Sequence, residues 1–140
     1  MNHWDKRFLE LAWHISLWSK DPSTKVGAVI SDRDNRIVSV GYNGFPKGID
    51  DSPEKYEDRD YKYEVIVHGE MNAILFAQKS LKGCTLYTHP FMPCSKCASM
   101  IVQSGIKRVV SRPNHPERWS ESFKITKQLF NEAGVVLDLL

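Results

Sequence analysis

The run Val65-Ile66-Val67-His68-Gly69-Glu70 and the later Pro93-Cys94-Ser95-Lys96-Cys97 decide how this 140-residue chain is read. Pro93 is a favoured first residue of a helix, which puts Cys94 and Cys97 on one face of the first turn, where two thiols can reach one ion. The partial positive charge of a helix N-terminus favours their ionised forms. The apolar, β-branched residues before His68 predict a strand that delivers this histidine to the start of a helix over Gly69 to Ser80. One nitrogen and two sulfur ligands suit zinc. Three protein ligands leave the fourth tetrahedral position open, as in catalytic rather than structural sites. Glu70, two residues past His68, then sits where a carboxylate can carry protons for a water held at that position. A lone C-x-x-C would read as a redox pair or a surface turn; joined to H-x-E at the end of an apolar run, it reads as a metal centre.

Composition narrows what such a centre could serve. At 140 residues with 41% hydrophobic and 26% charged residues, the chain has the make-up of one soluble domain spanning residues 1–140, with enough apolar residues for a sizeable core. The net charge of +2 comes from acids and bases scattered along the chain, with no basic block to hold a long polyanion. A small substrate is therefore expected, and no nucleic-acid partner. No apolar run reaches membrane-span length, and the mixed polar and aromatic N-terminus is unlike a signal peptide, so no membrane association and a cytoplasmic location are expected. Of three cysteines two lie in the metal motif, which leaves Cys84 as a buried strand residue and no disulfide framework.

Trp4, Phe8, Leu11, Ile15 and Trp18 form the stripe of an amphipathic helix, with Asn2 as N-cap, running to about Lys20 and stopped by Asp21-Pro22. Val26 to Ser31 and Arg36 to Gly41 flank the turn cluster Asp32-Arg33-Asp34-Asn35 and predict an antiparallel hairpin. The hairpin leads into Tyr42-Asn43-Gly44-Phe45-Pro46, where Asn-Gly is either a positive-φ turn or an amide aimed into a pocket; the residues support both. Lys47 to Glu64 is polar, mixed in charge and without a clean period, and reads as a long loop whose basic residues could meet phosphates. Cys84 to Thr88 and Ile106 to Ser111 predict two further strands, with the cysteine helix between them ending at Gly105. Ser120 opens a last helix closed by Gly134, and Val135 to Leu140 a last strand. Alternation of strand and helix puts a parallel portion into the sheet, with both metal motifs at carboxyl ends of strands, where open α/β sheets bind ligands. Trp119 reads as core, with a stacking wall over a substrate ring as the alternative.

The spacing H-x-E followed by P-C-x-x-C matches the signature of zinc nucleobase deaminases. More closely, the chain resembles the deoxycytidylate (dCMP) deaminase family within the cytidine and deoxycytidylate deaminase superfamily. The stretches that carry the resemblance span nearly the whole length: Ser19-Lys20-Asp21-Pro22-Ser23-Thr24-Lys25-Val26-Gly27-Ala28, Gly41-Tyr42-Asn43-Gly44-Phe45-Pro46, His68-Gly69-Glu70-Met71-Asn72-Ala73-Ile74 and Pro93-Cys94-Ser95-Lys96-Cys97-Ala98. The resemblance implies a three-layer α/β/α fold with a five-stranded mixed sheet. It also implies one Zn2+ per chain on His68, Cys94 and Cys97, with Glu70 as proton shuttle in the conversion of dCMP to dUMP and ammonia, a step toward dTMP. Asn43 and the backbone at Gly69 are implied as substrate contacts. Ser23 and Lys25, just ahead of the first strand, are the candidates for the 5′-phosphate. Hexamers, with dCTP as activator and dTTP as inhibitor, are implied, the effector with its Mg2+ binding near Tyr42, Gly44 and Lys47.

The chain departs from the pattern at Gly69, where the family usually has alanine; a looser helix start is expected there. It also lacks any cysteine before Cys84, so no second, structural zinc is expected. Two rival readings share the zinc signature: a deaminase of tRNA adenosine or of another nucleobase, and a noncatalytic zinc module in which Cys84 or His89 closes the site.

Overall fold

The computed structural model describes residues 2–140. Its elements in chain order are α1 (His3–Ser16), β1 (Gly27–Ser31), β2 (Ile37–Tyr42), α2 (Pro53–Glu57), α3 (Arg59–Val65), α4 (Gly69–Ala77), β3 (Thr85–His89), α5 (Ser95–Ser104), β4 (Arg108–Ser111), α6 (Ser120–Ala133) and β5 (Val136–Leu139), with a 3₁₀ turn at Glu117–Trp119. The five strands form one mixed sheet in the order β2-β1-β3-β4-β5. β1 is antiparallel to both β2 and β3, whereas β3, β4 and β5 run parallel, as the strand and helix alternation predicts.

Alternation along the strands divides the core between the two faces of the sheet. Val29, Tyr87 and Val110 point to one face and pack against Phe8, Leu9 and Ala12 of α1. Ala28, Ile30, Leu86 and Val109 point to the other, against Ala73 of α4, Ala98 and Ile101 of α5 and Phe130 of α6. The result is the expected three-layer α/β/α arrangement. Two glycines set how closely the helices approach the sheet. A Cβ at Gly27 would lie 2.0 Å from the Ala12 carbonyl oxygen in α1, and one at Gly41 2.4 Å from the Ala73 nitrogen in α4.

Three expectations need correcting. α1 ends at Ser16 rather than near Lys20, because Leu17, Trp18 and Ser19 tighten into i→i−3 bonds and the buried Ser19 donates its Oγ to the Asn43 carbonyl at 2.8 Å. The segment from Lys47 to Glu64 is not a structureless loop, since it holds α2 and α3. Only Tyr56 and Lys62 of these two short helices are buried, too few inward residues to leave a period in the sequence. Nor does a strand precede His68: α3 runs through Val65, and only Val67 makes a β-bridge, to Gly44.

Asp5 ties α1 to the sheet. Asn2 caps the helix by accepting from the Asp5 N–H at 2.8 Å, and the buried Asp5 carboxylate takes both Arg108 Nη groups at 2.9 Å and the Tyr87 hydroxyl at 2.8 Å. The Arg108 guanidinium holds the Asp5 carboxyl below its usual range. We predict that Asp5→Asn lowers stability by about 3 kcal/mol, because it breaks a buried pair from one side. A carboxyl depressed in the folded state stabilises above its unfolded value, near pH ~4, and that contribution fades as pH falls through the lower folded value. Acid titration of the unfolding free energy should therefore show the variant's deficit at neutral pH shrinking below pH ~4.

Candidate active site

Strand directions bring four chain segments together at one sheet edge. Gly27 at the start of β1 lies opposite both Tyr42 at the end of β2 and His89 at the end of β3. The residues just outside the strands, Val26, Asn43 and Phe91 to Cys94, therefore face the N-terminus of α4 and enclose a cavity of about 70 Å3. His68, Glu70 and Cys94 line its floor; Asp21, Ser23, Thr24, Asn43, Lys62, Tyr63, Ile66, Arg118 and Trp119 complete the wall.

His68 is the N-cap of α4, held extended by the Val67–Gly44 bridge, and Cys94 is the N-cap of α5. The helix expected to begin at Pro93 begins instead at Ser95, so Cys97 falls in the first turn and both sulfurs still face one point. α6 fixes this corner: Ser122 Oγ accepts from the Ser95 N–H at 2.8 Å, and Thr126 Oγ1 donates to the Pro93 carbonyl at 3.0 Å. His68 Nδ1 lies 3.4 Å from each sulfur, and the three candidate ligand atoms all fall within 4.8 Å of one another. Zn–N and Zn–S bonds of about 2.0–2.1 and 2.3 Å at a tetrahedral angle place N and S roughly 3.5 Å apart, so the three residues fit the ion.

The electrostatics agree with that fit. The hydrogen bond from Cys97, helped by His68, pulls the Cys94 thiol down, while the same contact with Cys94 and then burial push the Cys97 thiol up. Two thiolates this close need a cation between them. His68 is raised, chiefly by its contact with Cys94. Glu70, in the first turn of α4 and only 4% exposed, has its carboxyl raised by burial. It lies outside the three-ligand cluster, as a proton carrier rather than a ligand would. Cys84 is buried ahead of β3, at the sheet edge opposite Cys94, and among the described residues neither it nor His89 joins the cluster. The closed-site alternative therefore has no fourth ligand from either residue.

The other predicted residues divide. Asn43 lines the cavity at 5% exposure, but the Asn-Gly turn reading fails, since neither Asn43 nor Gly44 has positive φ and Gly44 bridges to Val67. The Asn43 amide accepts from the Val26 N–H at 2.8 Å and donates to the Thr24 carbonyl at 2.9 Å and Asp21 Oδ2 at 3.3 Å. A Cβ at Gly69 would sit 3.2 Å from the Val26 carbonyl oxygen, so its absence lets α4 press onto the start of β1. Ser23 is on the cavity wall, but Lys25 is not. The Lys25 ammonium donates to the Ser19 carbonyl, and the residue lines a separate open cavity of about 660 Å3 with Trp18, Lys20, Asp51 and Tyr56.

Tyr42, Gly44 and Lys47 lie on the outer side of this corner. Tyr42 meets Trp18 edge-on at 6.2 Å, and the Lys47 ammonium sits 4.9 Å above the Phe76 ring. Trp119 proves to be a wall as well as core: its ring stands edge-on to His68 at 6.3 Å and stacks on Phe123 at 6.4 Å. Sequence reasoning missed Arg118, whose Nη2 donates to Thr24 Oγ1 at 2.7 Å at the cavity mouth, and the buried Lys62. Nothing in their local sequence marks them, since an isolated arginine in a loop and a lysine in a charged run are ordinary surface residues.

Comparison with known proteins supplies the family. The family model described as the cytidine and deoxycytidylate deaminase zinc-binding region matches residues 2–112. An uncharacterised deaminase encoded in the luxG 3′ region of Aliivibrio fischeri is 45% identical over 139 residues, covering 96% of this chain and 92% of the relative. The human deoxycytidylate deaminase is 38% identical over 140 residues, covering 94% and 76%. Among solved structures, that of the dCMP deaminase from the cyanophage S-TIM5 in complex with dCMP and dUMP superposes with a TM-score of 0.75 at 25% identity, covering 100% of this chain and 99% of that one. With the cluster of His68, Cys94 and Cys97 inside the matched region, the chain belongs to the cytidine and deoxycytidylate deaminase family.

Proposed function

We propose that this chain, as one domain over residues 1–140, converts dCMP to dUMP and ammonia, with one zinc ion held by His68, Cys94 and Cys97. The observation that carries the reading is the buried Glu70 carboxylate beside that three-ligand cluster, on the floor of one cavity. The match to enzymes named deoxycytidylate deaminase supports the substrate. Zinc supplies the Lewis acidity that makes water nucleophilic near neutral pH. Glu70 takes the proton from the attacking water and delivers it to ring N3. It then removes the remaining proton from the new hydroxyl on C4 and passes it to the amino group, so that the C4–N bond breaks with loss of neutral ammonia and C4 is left as a carbonyl. Burial, which raises its carboxyl, suits it to giving the proton back.

Asn43 contacts the nucleotide, and the N-terminal backbone of α4 at Gly69 lies against the base. For the 5′-phosphate, Arg118 and Ser23 replace the expected pairing of Ser23 with Lys25. Both line the cavity near its mouth, and a guanidinium binds phosphate bidentately. A nucleotide needs more room than about 70 Å3, and the Arg118–Thr24 contact is the part expected to open.

We further infer that dCTP activates and dTTP inhibits, bound with Mg2+ in the open cavity that holds Lys20 and Lys25. The edge contact between Trp18 and Tyr42 and the bridge from Gly44 to Val67 offer a route from there to His68. Hexamer formation would cover the exposed Trp13, Leu17, Trp18 and Phe76. Among the described residues no helix is long and apolar enough to cross a membrane, and a cytoplasmic role in supplying dUMP for dTMP synthesis is the matching proposal.

The decisive assay is ammonia release from dCMP, dCTP, cytidine and adenosine, with and without the two triphosphates as effectors. Turnover confined to dCMP is expected, and turnover of adenosine instead would discard the substrate. Glu70→Ala should keep a full complement of zinc by atomic emission while kcat falls by about 10³-fold or more. Cys97→Ser should lose most of its bound zinc and activity together, because a hydroxyl replaces a thiolate ligand. Arg118→Ala should raise KM for dCMP by roughly tenfold, the size of one charge-assisted hydrogen bond, with little effect on deoxycytidine.

A further inference from the structure

Lys62 and Asp21 form an ion pair at 2.8 Å whose side chains are only 5% and 3% exposed, beside the cavity and 41 residues apart in the chain. Removing two charges from water is costly, and such a pair by itself seldom stabilises a fold more than apolar packing would. Its surroundings suggest another use. Asp21 Oδ1 accepts from Lys62 Nζ, from the Ser23 N–H at 2.9 Å and from the Thr24 N–H at 3.4 Å, while Oδ2 accepts from Asn43 Nδ2 at 3.3 Å. Every neighbour of this side chain is a donor, so the position calls for a group that only accepts. The Asn43 amide is thereby fixed in one sense. Its Nδ2 faces the two acceptors Asp21 Oδ2 and Thr24 O, and its Oδ1 faces the Val26 N–H. Both amide hydrogens are used, and Oδ1 retains one free lone pair.

We propose that the buried Lys62–Asp21 pair is the device that orients Asn43 toward the nucleotide, which makes Lys62 and Asp21 positioning residues for substrate binding. This rests on the deaminase reading above. Lys62, carried in on α3, balances the carboxylate; Asp21 holds the Ser23–Thr24 turn and the Asn43 amide together; Asn43 then presents an acceptor to a donor group of the substrate. An asparagine at position 21 would turn an NH2 group against either Asn43 Nδ2 or the two backbone N–H groups, and Asn43 would be left with only its contacts to the Thr24 carbonyl and the Val26 N–H to set its direction.

The test uses the full-length, zinc-loaded protein with Lys62→Met, Asp21→Asn and the double variant, reading Tm, zinc content, kcat and KM for dCMP. Lys62→Met alone, which strands a buried carboxylate, should lower Tm by on the order of 10 °C. The double variant carries no buried charge and should recover most of that loss. Its KM should nevertheless stay raised by about tenfold, with kcat within about threefold and zinc unchanged. A folded double variant with unsubstituted KM would show the pair to be structural only and overturn the proposal. Should the double variant not fold, Lys62→Arg is expected to keep KM within about threefold of the unsubstituted enzyme while Lys62→Gln raises it. Equal KM values for those two would also overturn it. Absence of dCMP turnover by the unsubstituted protein is seen before any variant is made; it would remove the deaminase reading, and this inference with it.

Discussion

Everything at the working end of this molecule depends on the antiparallel seating of β1 between β2 and β3, with Gly27 opposite both Tyr42 and His89. That register brings the segment leading into β1 beside the segments leaving β2 and β3. Asn43, Val26 and Phe91 meet there only because one strand of the three runs against its neighbours. β3, β4 and β5 then run parallel, so the connection from β3 to α5 turns at the same edge and delivers Cys94 and Cys97 to it. Gly27 and Gly41 complete the geometry: with no Cβ at either position, α1 and α4 lie against opposite faces close enough for the end of α4 to reach the edge.

What collects at that edge is a set of groups that are costly to bury alone. Two thiols, an imidazole and a carboxylate share a small space, and the imidazole and the two sulfurs lie close enough to hold one metal ion. On the wall of the same cavity, the cation Lys62 is matched by Asp21, and Arg118 is held to Thr24. The cavity thus joins a metal-binding floor to a wall that carries the Arg118 guanidinium. That arrangement suits a substrate with a polar ring at one end and a phosphate at the other.

The legible and illegible residues differ in how their roles are encoded. His68, Glu70, Cys94 and Cys97 were readable because metal chemistry restricts the residue types and because each pair is local, joined by one turn of chain. α1 and α6 were readable because one face of each packs on a continuous core and leaves a period. Lys62 was not readable, because a charged side chain becomes a buried partner only when Asp21, far away in sequence, comes to meet it. α2 and α3 were hidden for a related reason, since their few inward residues pack on Phe45 and the cavity wall rather than on the main core. The Val65–Val67 run misled because β-branched residues at the end of a short helix look locally like a strand. Lys25 misled because neighbouring residues on an irregular segment point to opposite sides, Ser23 to one cavity and Lys25 to another.

The sequence by itself determined the metal-binding residue types, the five strands and the helices α1, α4, α5 and α6, because ligand chemistry and hydrophobic period are local properties of the chain. Only the tertiary structure decided which polar residues are buried, which of them face the cavity, and that Asn43 bonds to Asp21, itself paired with Lys62, rather than forming a turn. Those outcomes depend on pairings between residues tens of positions apart, and no local pattern carries the free energy of a contact that exists only once the sheet has closed.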